Sequence, residues 1–122
     1  MGKFTISASK DSIPQLLASI EAEFKFKPFA TYNLDTMKRA AEEIVLAIAN
    51  VDSECGPIII DFDINYGGTS AQFLHAGPIF NPCDTTNNHC PFTTNEMDEI
   101  SFEFKYGHSV VAIHKKLPLL NA

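Results

Sequence analysis

His75, Cys83, His89 and Cys90 carry the imidazoles and thiols that ligate zinc, and they fall in one stretch of the chain. Zinc fingers and ribbons space their ligands in close pairs. Here the gaps follow no such pattern, and adjacent His89 and Cys90 fit two corners of one tetrahedron poorly. The set reads as no metal site, with Cys83, Cys90 and the third cysteine, Cys55, as free thiols filling small apolar spaces. An odd cysteine count at irregular spacing suits a reducing compartment better than a disulfide framework. Asp61 and Asp63 are a second candidate, since paired carboxylates can share acid and base roles. They share a strand face at a separation of about 7 Å, and the pair reads as solvation of an outer face. Pro78, Ile79 and Phe80 form an apolar tip that either docks a partner or folds Phe80 back onto the core.

Two helices and about five strands must position these residues. Phe4, Ile6 and Ala8 alternate with Thr5 and Ser7 in a first strand. Asp11 or Ser12 can cap a helix with Pro14 in its first turn and a stripe of Ile13, Leu16, Leu17, Ile20 and Phe24. It stops by Lys27, because Pro28 disfavours helical geometry in the residue before it. Asn33 or Asp35 can cap a second helix with the stripe Met37, Ala41, Ile44, Val45 and Ile48. Lys38 with Glu42 and Arg39 with Glu43 form i,i+4 pairs on its wet side, Glu43 lies beside the buried edge, and Asn50 suits the C-cap. From Pro57 to Tyr66, Ile58, Ile60, Phe62, Ile64 and Tyr66 alternate with Asp61, Asp63 and Asn65.

Gly67-Gly68 then turns the chain, and Ser70 to His75 return antiparallel. Beyond the loop Gly77–Pro82 the sequence has no clear period through Asn95, with a short helix expected near Thr94 to Met97. A closing hairpin runs from Ser101 to Tyr106, across Gly107-His108, and back through Val111 and Ile113. Elements with one apolar face each bury those faces by placing the helices on one side of a mostly antiparallel sheet. The expected fold is α+β, a two-layer α/β sandwich forming one domain over residues 1–122.

In this order the elements resemble the small ATP-binding domain of anti-sigma factor serine kinases, within the histidine-kinase-like ATPase superfamily. Three segments carry the likeness. Ala40-Ala41-Glu42-Glu43-Ile44-Val45 resembles the helix that bears the family's nucleotide-box glutamate. Gly77-Pro78-Ile79-Phe80-Asn81-Pro82 resembles its first glycine box. Met97-Asp98-Glu99-Ile100, Phe102 to His108 and Lys115-Lys116-Leu117 resemble its closing hairpin. With the first strand and helix, the likeness spans about the whole chain.

The resemblance implies that Glu43 acts as general base on a substrate serine hydroxyl, and that ATP with magnesium is held by Glu43, Asn50, His75, Gly77 and Phe80. It further implies a sigma factor or an anti-sigma antagonist as partner, and a homodimer. The chain departs from the family at three places. Ala47 stands where the family has its magnesium-holding Asn, with Asn50 one turn beyond as the nearest substitute. His75 takes the place of the adenine-reading Asp. Cys83 to Thr94, where the second glycine-rich box would fall, contains no glycine, so close backbone approach to phosphates is lost.

Of the 122 residues 45% are hydrophobic, and nine Lys and Arg against fifteen Asp and Glu give a net charge of −6. No run of Lys or Arg is present, which argues against binding nucleic acid through phosphates or lying on an anionic membrane. A basic or neutral protein partner fits this balance better. No apolar stretch in the opening residues is long enough for a signal peptide or a span, and Ile6 breaks the myristoylation pattern, so a cytoplasmic location is expected. Together these readings point to a regulatory protein-binding module with a decayed ATP site. The rivals are an active ATP-dependent protein serine kinase and a small-molecule pocket between the helices and the loop His75 to Thr94.

Overall fold

The strict alternation of β-branched and aromatic residues with polar ones produces a five-stranded sheet. In the computed structural model, which describes residues 2–51 and 56–118, the strands are β1 (Gly2–Ser7), β2 (Pro57–Asn65), β3 (Gly68–Ala76), β4 (Glu99–Lys105) and β5 (His108–Lys115). Their order across the sheet is β1-β2-β3-β5-β4, and every neighbouring pair is antiparallel. Ile6, Ile58, Ile60, Phe62, Ile64, Ala71, Phe73, Val111 and Ile113 face one side and are buried in a single core. Phe62 anchors it, stacked beside Phe4 at 6.2 Å between centroids and meeting Phe24 edge-on at 6.5 Å.

Strand β2 stops one residue short of expectation. Tyr66 is not a core residue but sits in the β2–β3 turn, 82% exposed and stacked on Phe29 at 4.3 Å. The turn is tight because Gly67 N–H donates to Asn65 Oδ1 at 2.8 Å and Gly68 takes φ +134°. A Cβ at Gly68 would collide with the Lys115 carbonyl oxygen, so β5 can lie against this corner only if glycine stands here. The β4–β5 turn uses the same device, with Tyr106 and Gly107 both at positive φ.

Helices α1 (Ile13–Lys25) and α2 (Leu34–Val51) cover the apolar face, and a short α3 (Pro91–Glu96) packs against α2. Leu16, Ile20 and Phe24 of α1 and Met37, Ala41, Ile44, Val45 and Ile48 of α2 are buried, as their periodicity requires. This is the α+β two-layer sandwich expected from the pattern. The local polar contacts differ from expectation wherever a tertiary partner is better placed. Ser9, rather than Asp11 or Ser12, caps the turn preceding α1, accepting from Asp11 N–H. Asn33 ends a 3-10 segment at residues 28–33 and sends its amide to the Lys115 and Lys116 carbonyls at 3.1 and 3.5 Å instead of capping α2. Lys38 pairs with Glu21 of α1 at 2.7 Å rather than with Glu42. Arg39 lies over the Phe92 ring at 4.2 Å rather than beside Glu43. The short helix begins at Pro91, earlier than the Thr94 expected.

A polar clasp joins the start of β4 to the end of β5. Asp98 N–H donates to the His114 carbonyl at 2.9 Å, and the Asp98 carboxylate accepts from Lys116 N–H at 2.7 Å. The Lys116 bond, aided by the charges of Lys115, Lys116 and His114, outweighs desolvation and holds the Asp98 carboxyl below the usual carboxylate range. A carboxyl depressed in the folded state stabilises it above the unfolded pKa of about 3.9, and that contribution disappears as pH falls through the lower folded value. Asp98→Asn is therefore expected to unfold at lower urea than the parent at pH 7, with the two midpoints converging as the pH falls through the lowered folded value.

Candidate functional site

The residues expected to hold a nucleotide lie along α2 and the loop that follows β3. Glu43 projects from the middle of α2 toward α3, and both its oxygens are occupied. Oε2 accepts from Phe92 N–H at 3.1 Å, and Oε1 accepts from Thr93 N–H and from the Thr93 hydroxyl, each at 2.7 Å. A carboxylate that binds the first amides of a helix satisfies orphan donors and meets the positive end of the backbone dipoles. Glu43 thus fastens α3 to α2, and the Arg39–Phe92 stack lies beside it. One turn on, Ala47 is 5% exposed and sits in the core. Asn50 is an exposed residue of the last turn of α2, which continues to Val51, so it does not end the helix.

His75 is 2% exposed at the end of β3, with Nε2 at 3.3 Å from the Phe80 carbonyl oxygen. Gly77, at φ +108°, starts the loop in a conformation that favours glycine. Phe80 folds back. Its N–H donates to Ser109 Oγ at 3.1 Å, and its half-buried ring meets the rings of His75 and His89 edge-on at 6.2 and 5.3 Å. Ile79, 66% exposed, remains outside.

Cys83 and Cys90 are both buried free thiols at the two ends of the same loop. The neighbouring Cys83 thiol, and then burial, push the Cys90 thiol well above its ordinary pKa, which keeps it protonated and unreactive. Cys55 lies outside the described residues. Among the described residues no group of three or more His, Cys, Asp or Glu is arranged to hold a metal ion.

A different set of polar groups comes together on the opposite face of the sheet, which no helix covers. The strand registers place Asp63, Ser70, His114 and Glu99 in one row across β2, β3, β5 and β4. Ser70 Oγ lies 2.7 Å from His114 Nδ1. The next row is Lys3, Asp61, Gln72, Ala112 and Ser101, and beyond it runs Thr5, Ile59, Leu74, Val110 and Glu103. Between β3, β5 and β4 lies a trough of about 660 Å³ lined by Ser70, Gln72, Asp98, Glu99, Ser101 and His114, among others. A second, of about 380 Å³, adjoins it across β3 and is lined by Asp61, Asp63, Ser70 and Gln72.

The Ser70–His114 contact has the chemistry of a hydrolase dyad without the rest of the machinery. Ser70 lies inside a strand whose backbone amides face neighbouring strands on both sides, so none is aimed outward to stabilise an oxyanion. The dyad was not legible in the sequence, because Ser70 and His114 are 44 positions apart and only the β3–β5 register brings them together. Alternation alone gives the weaker signal that each occupies an outward position of its strand.

No family model matches the chain, and no curated protein matches it. No described helix is long and apolar enough to cross a membrane.

Proposed function

We propose that the protein is a nucleotide-independent, protein-binding regulatory module of the anti-sigma type, acting in the cytoplasm on a sigma factor or on an anti-sigma antagonist. The observation that carries this reading is the engagement of Glu43. A general base must turn a lone pair toward the substrate hydroxyl, whereas this carboxylate gives three of its about four acceptor positions to α3 and holds that helix in place. The surroundings agree with it. Ala47 offers no oxygen to magnesium, and His75 is turned into the fold toward the Phe80 carbonyl. Phosphoryl transfer depends on metal and amide stabilisation of the phosphates, and the residues at these positions supply neither.

Calorimetry of the folded protein with ATP, with and without magnesium, tests the proposal. No binding heat is expected up to millimolar nucleotide, together with a concentration-dependent complex with a purified sigma factor or antagonist in the absence of ATP. Binding that tightens with magnesium would restore the kinase reading and require Glu43 to leave Thr93.

A further inference from the structure

We infer that the uncovered face of the sheet is the docking surface, and that its occupant is a basic polypeptide segment whose Lys or Arg side chains lie in the two troughs flanking β3. The inference rests on the protein-binding reading and adds the place and the chemistry of the partner. The troughs open where the outward side chains near the carboxylates are short. Ser70, Ala112 and Ser101 leave space where longer side chains would otherwise cover the strands. Their walls are acidic on both sides, with Asp61 and Asp63 on β2 and Glu99 on β4.

None of these three carboxylates makes an ion pair among the described residues, whereas Glu103, farther along β4, is paired with Lys105 at 3.3 Å. Among the described residues the basic side chains of this face are Lys3, opposite Asp61 on the edge strand, Lys105, His108 and His114, and none of them is ion-paired with Asp61, Asp63 or Glu99, which leaves those carboxylates for a partner to neutralise. A guanidinium or ammonium on a long aliphatic stem matches this shape. The half-buried Ile59 and Leu74, one row beyond the troughs, offer apolar surface to such a stem, while the charged head reaches a carboxylate. Ser70 lines both troughs, and its bond to His114 fixes the imidazole on the wall of the larger one, where the remaining ring nitrogen contributes a polar contact. An acidic or phosphate-bearing partner is disfavoured on the same face by like-charge repulsion.

The test is an amide-resolved NMR titration of the full chain with decalysine, with decaglutamate as control. Decalysine is expected to shift the amides of Ser70, Gln72, Ser101 and Ala112, and the paired substitution Asp61→Lys with Glu99→Lys is expected to weaken it about tenfold or more. Both positions are on the sheet surface, so the remaining spectrum should be unchanged and will report whether the variant folds. Shifts centred on α1 or α2, or equal affinity for parent and variant, would overturn the inference. The same variant separates this inference from the functional proposal. A purified sigma factor that binds parent and variant equally leaves the module standing and removes the surface. Decalysine mapping to the sheet without capture of any sigma factor or antagonist keeps the surface and removes the anti-sigma reading.

Discussion

Replacing Glu43 by alanine should lower stability by about 2–4 kcal/mol, with a fall in Tm on the order of 10 °C. The variant loses three charge-assisted hydrogen bonds at once and leaves the Phe92 and Thr93 amides at the start of α3 without their acceptor. The Thr93 hydroxyl is left with its 3.4 Å contact to the Ala40 carbonyl. Since α3 is six residues long and has no side-chain cap of its own, its position depends on this contact. Thr93→Ala removes one of the three bonds and should cost about 1–2 kcal/mol. The double variant should then lose clearly less than the sum, because both single changes disrupt the same contact. Urea midpoints measure all three. A Glu43→Ala protein that melts within a degree of the parent would show that the carboxylate does not hold α3, and would reopen its use as a base.

Phe62→Ala should be more damaging, by about 3–5 kcal/mol, because the ring is buried at the meeting point of β1, β2 and α1. For a domain whose total stability is on the order of 5–15 kcal/mol, this approaches the threshold of unfolding at 37 °C. Phe62→Leu keeps most of the volume and should cost under about 1.5 kcal/mol. The contrast between the two separates loss of packing from a general intolerance of change in β2. Equal unfolding midpoints for the two variants would mean that the core relaxes around the cavity.

The fold was legible where the periodicity is local and unbroken. Ile58 to Ile64 on β2 and the stripes of Leu16 to Phe24 and Met37 to Ile48 identify themselves, because burial of one face is their dominant energy. Tyr66 continues the alternation yet lies outside the sheet, because the two-residue hairpin ends the strand at Asn65 and sends the next side chain outward. Polar partners were legible only within a turn or two. Lys38, Asn33 and Glu43 each had an acceptable local role, and each is engaged 17, 82 and 50 positions away instead. A helix surface offers several neighbours of similar energy, worth a few tenths of a kcal/mol, and packing of the layers selects among them. The candidate site suffered most, since the row Asp63, Ser70, His114 and Glu99 is a product of strand order and register. Neither is encoded in any single segment.

The position of β5 between β3 and β4 has a consequence for how the chain is made. As the polypeptide leaves the ribosome, β1 to β3 and the two long helices can assemble as soon as Ala76 is free. Strand β4 emerges before β5, which among the described residues is the one strand it pairs with. Through that interval Ile100, Phe102 and Phe104 belong to a strand with both edges open, the condition in which nascent chains associate with one another. Their alternation with Glu99, Ser101, Glu103 and Lys105 places a polar residue beside each apolar one, which opposes such association. The aggregation hazard of synthesis is thereby concentrated in a window that opens at Glu99 and closes when Lys115 is in place.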